Sequence, residues 1–550
     1  MAKQKKSLAE SLVEDGIITP EQLQKAQDEE KRSGERLRNV LVKLGFIAEE
    51  DLVSFLSDKL GVPRIELNNY LIDPKIIELV PEDLARKHEL IPVLKIAGRL
   101  TCAMVDPWNI FALDEVRART NLIIEPAVAT QSEIKKSLNE YYGAKGSIEE
   151  LIKTIDEKKL GIQQDKEIDA KQLEDMVKEP VVIKLVNLII IKAIQEGASD
   201  IHIEPEEESL KLRFRVDGML HEEAAPPKHL QSAIISRVKI MATLDIAERR
   251  APQDGRFNLK MEGKEIDVRV SCVPTIYGEN VVLRILDISS ALLSLTELGF
   301  VGSVLEKYQK VISRPHGIVL VTGPTGSGKT TTLYSSLDKI NTQEKNIITV
   351  EDPVEYKLAG IRQIQVNPKV GLSFANGLRS ILRQDPDVIM IGEIRDFETA
   401  EIAIHAALTG HLVFSSLHTN DAAGAVTRLM DMGVEPYLIS SSLIAVLAQR
   451  LVRNICPDCR EEYLSEGQKF FRGKGCVKCL QSGYKGRIGI YEFLPIDDAI
   501  KELITAKAPM AEIKKLATSL GMLSLYQDGL QKAKEGKTTL EEVLRVTQEI

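Results

Sequence analysis

"LVTGPTGSGKTTTLYSSL", residues 320–337, decides how the centre of this chain folds. The apolar run "GIVLVTG" from Gly317 ends at Gly323, four residues follow, and then come Gly328, Lys329 and Thr330. The spacing predicts a strand, a tight loop and a helix in the following "TTLYSSLDKI". In such a loop Gly323, Gly326 and Gly328 let backbone N–H groups curl around phosphate oxygens, with Pro324, Thr325, Ser327 and Thr331 completing the turn. Lys329 adds a point charge toward the outer phosphates, and the Thr330 hydroxyl can hold Mg²⁺. The stretch therefore implies binding of a nucleoside triphosphate and leaves open what its energy is used for.

Two further apolar runs belong beside this loop. "DVIMIGEI" from Asp387 places Glu393 at the carboxyl end of a strand, and "IITVEDPVEY" from Ile347 delivers Glu351, Asp352 and Glu355 to the same edge. Taken alone, each acidic cluster reads as a solvated strand end. Beside a phosphate loop, the same residues become candidates for metal and water. "TGHLVFSSLHTNDA" from Thr409 brackets another strand with His411 and His418. A lone histidine is usually structural, whereas a bracketing pair in a nucleotide-binding core can sense phosphate or order water.

Composition bounds the rest. The chain has 550 residues, too many for one hydrophobic core. Its formal charge of −9, from 72 basic and 81 acidic residues, argues against a broad nucleic-acid-binding face. No start segment reads as a signal peptide, and Lys184 and Lys192 interrupt the greasiest run, "VVIKLVNLIIIKAI", so a cytosolic location is expected.

The first sixty residues repeat. "LAESLVEDGIITPEQL" from Leu8 aligns with "LRNVLVKLGFIAEEDL" from Leu37 at an offset of 29 residues, predicting two helical hairpins. Residues 74–142 mix helical and strand patterns, and residues 145–171 are charged and weakly periodic. Period-2 alternation in "LKLRFRV" and "IDVRVSCV" predicts antiparallel strands in the next domain.

Six cysteines fall as two singles, Cys102 and Cys272, and a set of four. The singles read as buried core thiols. Cys456-Pro-Asp-Cys459 and Cys476-Val-Lys-Cys479 make two knuckles that can close a tetrahedral thiolate site around structural Zn²⁺; a redox pair is the alternative.

"GPTGSGKTTT", "EDPVEY", "LRSILRQDPDVIMIGEIRD" and "TGHLVFSSLHTNDA", preceded by "SDIHIEP", "RFRVDG", "LDIAERRAPQDGR" and "GENVVLRIL", together resemble the secretion-superfamily ATPases of type II secretion and type IV pilus assembly. The resemblance implies a multidomain α/β chain. It would comprise an N-terminal docking domain (1–142, with helical hairpins at 5–68 and a small α/β unit at 74–142), a linker (143–172) and a PAS-like α+β middle domain (173–290). A RecA-like P-loop ATPase domain (291–497) with a zinc-binding insertion (453–485) and a C-terminal helical region (498–550) would follow.

The resemblance also implies roles. Lys329 and Thr330 become ATP and Mg²⁺ contacts, Glu393 the Walker B glutamate, Asp352 a magnesium-side acid, Glu355 the general base, and His411 with His418 a histidine box. Arg215, Arg237 and Arg256 become candidates to reach the triphosphate. The implied assembly is a hexameric ring engaging an inner-membrane platform protein and an accessory cytoplasmic assembly protein, with no nucleic acid. The pilus-extension branch is the nearest, with type II secretion as the alternative and a DNA-uptake translocase a distant one. The N-terminal repeat resembles tandem motifs some of which bind cyclic di-GMP. Here Ser7-Leu8-Ala9 and Arg36-Leu37-Arg38 stand at the openings and Glu30 and Lys59 at the closings, departing from that pattern, so a partner-docking module is favoured.

Overall fold

Glycine stops each helix of the N-terminal repeat in the same way. Helices Leu8–Glu14 and Leu37–Lys43 end at Gly16 and Gly45, whose φ values of 73° and 71° need the left-handed region. The same bonds close both ends: Gly16 N–H donates to Val13 O and Ile17 N–H to Leu12 O, as Gly45 does to Val42 and Phe46 to Leu41. Second helices at Pro20–Ser33 and Glu49–Leu60 complete two hairpins. Leu12, Ile18, Val40, Leu41, Ile47 and Leu52 form their shared core.

The computed structural model describes residues 8–33, 37–107, 109–142, 179–287, 292–465 and 468–547. The segment expected as a linker, the start of the middle domain to residue 178, Ser7 and Arg36 lie outside them. The chain divides into two units, Met1–Ser289 and Ser290–Ile550.

In the first unit, β1 (Leu90–Ile96), β2 (Arg99–Met104) and β3 (Ile123–Val128) form a small sheet, antiparallel then parallel, with helix Ile110–Thr120 as the crossover. The middle-domain sheet contains β4 (Ala198–Pro205), β5 (Leu210–Val216), β6 (Met219–Glu223), β7 (Gln253–Met261), β8 (Lys264–Thr275) and β9 (Gly278–Asp287) in the order β6-β5-β4-β9-β8-β7, antiparallel throughout. Helices Pro180–Gln195 and Gln231–Met241 cover one face, where Leu185, Ile189, Ile234 and Val238 meet Phe214, Val268 and Leu283. The apolar run that Lys184 and Lys192 interrupt is thus a core helix. Among the described residues no helix is long and apolar enough to cross a membrane.

The second unit is built on seven strands, β10 (Gly317–Thr322), β11 (Ile347–Glu351), β12 (Arg362–Gln365), β13 (Val388–Ile391), β14 (Leu412–Leu417), β15 (Leu443–Ile455) and β18 (Tyr484–Pro495). A two-stranded hairpin, β16 (Arg460–Ser465) and β17 (Gln468–Gly473), stands apart from them. The order is β12-β11-β13-β14-β10-β15-β18, all parallel except β18. Every residue of β10 is buried, Ile318 and Leu320 feeding the core on one face and Val319 and Val321 the core on the other. That two-sided burial is why the strand reads as a continuous apolar run.

The helices after β18 fold back onto it. Lys532, with no exposed surface, donates to Gly489 O (2.7 Å) and Asp528 Oδ2 (2.6 Å) and lies 4.8 Å from the centre of the Tyr491 ring. Tyr491 N–H donates to the same Asp528 oxygen at 2.8 Å. Removing Asp528 would strand a buried ammonium, so Asp528→Ala should destabilise this unit by about 3–5 kcal/mol. Urea unfolding followed by circular dichroism would measure the loss, and Asp528→Leu/Lys532→Met should recover most of it.

Candidate nucleotide-binding edge

Four adjacent parallel strands, β11, β13, β14 and β10, end at one edge of the large sheet. Carboxyl edges of such sheets are where ligands bind. The loop after β10 passes through Gly323 (φ 152°) to Gly328 (φ 86°), which caps the helix Lys329–Ile340. Buried Gln449 on β15 shapes this loop: a Cβ on Gly323 would lie 2.4 Å from Gln449 O, and one on Gly328 would lie 2.9 Å from Gln449 Nε2. Thr332 on the new helix donates to Gln449 Oε1 at 2.7 Å. The backbone can therefore take this path only without side chains at those positions. Ser327 Oγ is buried in the loop with no hydrogen-bond partner among the described residues.

Lys329 folds over the loop, its ammonium donating to Gly323 O (2.9 Å) and Pro324 O (3.1 Å). Burial lowers its pKa from the ordinary lysine range, and the Glu393 charge opposes that shift. Thr330 is exposed at the first turn of the helix. A cradle of backbone N–H groups, an orphaned hydroxyl, a half-buried ammonium and a helix N-terminus together suit a phosphate chain.

The acids divide by burial. Glu351 turns inward: burial raises its carboxyl above the usual range, opposed by hydrogen bonds from Thr349 (2.5 Å), Tyr334 and Gln363 (3.2 Å). It is consumed by the fold, whereas Asp352, the next residue, is exposed at the edge. Half-buried Glu355 receives its place from Tyr334, whose hydroxyl accepts the Glu355 N–H at 3.4 Å. Glu393 lies two residues beyond β13, on a turn held by Ser416 Oγ donating to Gly392 O (2.7 Å) and by Ile394 N–H donating to Ser416 O (3.1 Å). Arg395 donates to Glu393, and the charges of Glu393 and Asp352 both act on it.

His418 follows β14, with its Nε2 3.2 Å from Glu393 Oε2. Thr322 at the end of β10 holds this loop, accepting the Thr419 N–H at 2.9 Å and lying 2.6 Å from the Thr419 hydroxyl. His411 stands apart from His418. It precedes β14, and parallel pairing of Gly317 with Leu412 puts it at the amino edge, about 20 Å from His418 across six strand residues. Its Nδ1 lies 2.8 Å from Ala406 O. Within this unit the fold does not bring His411 to the phosphate loop.

The three candidate arginines also divide. Arg215 and Arg256 lie on the open face of the middle-domain sheet, in a cross-strand row that register makes explicit: Arg215–Asp200–Arg284–Arg269–Arg256. Arg284 Nε donates to Asp200 Oδ1 at 3.0 Å and Arg215 Nε lies 3.7 Å from Asp200 Oδ2. Like charges opposite one another destabilise a sheet; Asp200 beside Arg284 and Asp267, 3.5 Å from Arg269 Nε, offset part of that repulsion. Sequence reasoning missed Arg284, which period-2 alternation in "VVLRIL" could have placed on the same face. Arg237 sits on the covering helix, on the other side of the sheet, and does not join this row.

The cysteine knuckles close the excursion between β15 and β18. Cys456 and Cys476 sulfurs are 3.9 Å apart, Cys459 and Cys479 3.8 Å, Cys476 and Cys479 3.6 Å. A tetrahedron with metal–sulfur bonds of about 2.3 Å has sulfurs about 3.8 Å apart. Burial raises the Cys479 thiol, but N–H groups of Cys476 (3.2 Å) and Gly483 (3.3 Å) donate to its sulfur and bring it down to about 7. All four ligand positions of such a tetrahedron would be protein sulfurs, a set compatible with zinc. The singles behave differently: burial pushes Cys102 up to about 12 and Cys272 up to about 11.

Four fully buried parallel strands whose phosphate loop and acids share the carboxyl edge define a P-loop nucleotide-binding unit. The chain belongs to the family described as "Type II/IV secretion system protein", matched over residues 175–545. A MshEN domain is matched over residues 60–148, mainly on the small α/β unit rather than on the repeated hairpins.

Over 558 residues the chain is 48% identical to the "Type IV pilus assembly ATPase PilB" of Myxococcus xanthus (strain DK1622), covering 98% of each chain. It is 45% identical to "Type II secretion system protein E" of Xanthomonas campestris pv. campestris over 564 residues, again 98% of each. The solved ATPase DotB of Yersinia pseudotuberculosis shares its fold, with a TM-score of 0.53 over 67% of this chain and 94% of that one at 22% identity.

Gly323→Ala should weaken nucleotide binding at least tenfold while circular dichroism stays native, because the added methyl collides with the Gln449 carbonyl and not with a movable tip. Fluorescent-nucleotide titration would check it.

Proposed function

We propose that this chain is a Mg²⁺-dependent ATPase motor that powers assembly of a type IV pilus or related pseudopilus. The observation that carries this proposal is the shared edge: the phosphate loop, Asp352, Glu355, Glu393 and His418 all follow neighbouring parallel strands. Similarity along 98% of a pilus assembly ATPase supplies the setting. Equal coverage of a type II secretion protein E keeps protein export as the second reading.

Gly323 to Thr331 would cradle ATP, and Lys329 would bear on the outer phosphates. Thr330, Asp352 and Glu393 would hold Mg²⁺, which when bound neutralises charge on the transferred phosphoryl. Arg395, which donates to Glu393, would hold that carboxylate in place at the edge. Glu355 would take the proton from the attacking water, and His418 would report the state of Glu393 through their contact. The arginine row on the open face, with Arg215 and Arg256, would stabilise phosphoryl charge in a hexameric ring.

The middle domain's six-stranded antiparallel sheet with helices on one face supports the PAS-like assignment. Spacing of the four sulfurs supports Zn²⁺ at Cys456, Cys459, Cys476 and Cys479. The proposed location is the cytoplasmic side of an inner membrane, against a platform protein and an accessory assembly protein, with no nucleic acid involved. In the N-terminal module the departing residues serve the fold: Glu30 accepts the Leu37 N–H (2.8 Å) and Lys59 pairs with Asp15 (2.7 Å). That favours partner docking over cyclic di-GMP there.

Glu355→Gln should leave ATP binding nearly intact and lower hydrolysis about a hundredfold. Steady-state phosphate release beside nucleotide titration tests this, and full turnover would remove the assignment. Purified protein should carry one zinc per chain by atomic absorption. Chelation should lower the unfolding temperature of the second unit, and metal-free protein of unchanged stability would count against the site.

A further inference from the structure

In the first unit, the small α/β unit and the middle domain are bonded along a seam. Leu71 N–H donates to Lys260 O at 2.8 Å, and Gln195 Nε2 donates to Asp73 Oδ2 at 2.8 Å. Asn187 donates to Glu140 on helix Gln131–Tyr142. Between these bonds lies a cavity of about 250 Å³, the space of roughly eight waters. Phe257 and Leu259 of β7 form part of its apolar lining, and Arg237, Lys136, Asn68 and Asn258 are among its polar lining.

Arg237 is the group that this seam leaves unanswered. Its guanidinium lines the cavity, its Nε is buried without a hydrogen-bond partner, and it makes no ion pair among the described residues. Arginine cannot discard its proton, so its burial calls for counter-charge. Burial pulls its pKa below the ordinary arginine range, and the charge of Glu140 opposes that. Glu140 is the one acid on the cavity wall, it also accepts from Asn187, and the charges of both Arg237 and Lys136 act on it, so one acid faces two cations. Lys136 spends one donor on Asn68 Oδ1 (2.9 Å) and keeps two. Two cations and several amides thus line a space of about 250 Å³, near the lower end of ordinary ligand pockets, which run from about 300 Å³ upward.

We infer that this cavity binds a small oxyanion ligand, phosphate or carboxylate, held by Arg237 and Lys136 between the N-terminal module and the middle domain. Its occupant touches both walls and so couples ligand concentration to how firmly the two are docked.

The test uses the full chain carrying Lys329→Ala, so that the phosphate loop contributes little. Inorganic phosphate and succinate are titrated separately by calorimetry and by thermal unfolding. The expected result is saturable binding of one anion with a rising unfolding temperature. Phosphate alone would mark a phosphate-bearing ligand, and succinate alone a carboxylate. Adding Arg237→Gln should abolish the binding, and adding Lys136→Gln, at an exposed position, should weaken it about tenfold. Absence of binding by either anion to about 10 mM, near the weak limit for a specific small-ligand site, would overturn the inference. So would affinity unchanged by Lys136→Gln, a measurement that stands even if Arg237→Gln fails to fold.

Discussion

Strand β10 is the constraint on which the second unit depends. It is buried on both faces and bonded to β14 on one side and β15 on the other, so it can neither slide nor turn over without exposing two cores. Everything at the nucleotide edge is measured from its last residue. Thr322 ends the strand, begins the phosphate loop and ties down the loop that carries His418. A side chain of modest chemistry thereby sets the distance between the phosphate cradle and the Glu393–His418 pair.

The neighbouring strand β15 links that edge to the far end of the unit. Near its middle, Gln449 braces the phosphate loop and Thr332. At its end, Arg453 donates to Glu542 of the last helix at 2.5 Å, and Cys456 opens the thiolate site. Burial would raise the Glu542 carboxyl, but Arg545 and Arg453 hold it at about 2. One strand thus carries the loop support, the cysteine module and the seat of the C-terminal helices. A disturbance at the knuckles has a short covalent path to the nucleotide edge.

Much of this was legible because it follows from local rules. The phosphate loop, the period-2 strands of the middle domain, the duplicated glycine-stopped helices and the paired knuckles all depend on spacing within a few residues. What failed to show was anything set by register. His411 and His418 look equivalent on paper, yet six extended residues carry them to opposite edges. Arg215, Arg237 and Arg256 look like one group, yet Arg237 rides the helix layer while the others lie on the open sheet. Gln449 had no local signal, because its importance comes from a backbone that approaches it from more than a hundred residues away.

By itself the sequence determined the classes of element, the loop that cradles phosphate, the sulfur set and the family to which the chain belongs. Each is written in short-range patterns that the backbone must obey. Tertiary structure alone decided which acids stay at the edge, which histidine reaches Glu393, which arginines form a row and which one faces a cavity. Those outcomes turn on strand register and on which face of a sheet is covered, and both are settled only when distant segments bury their apolar sides together.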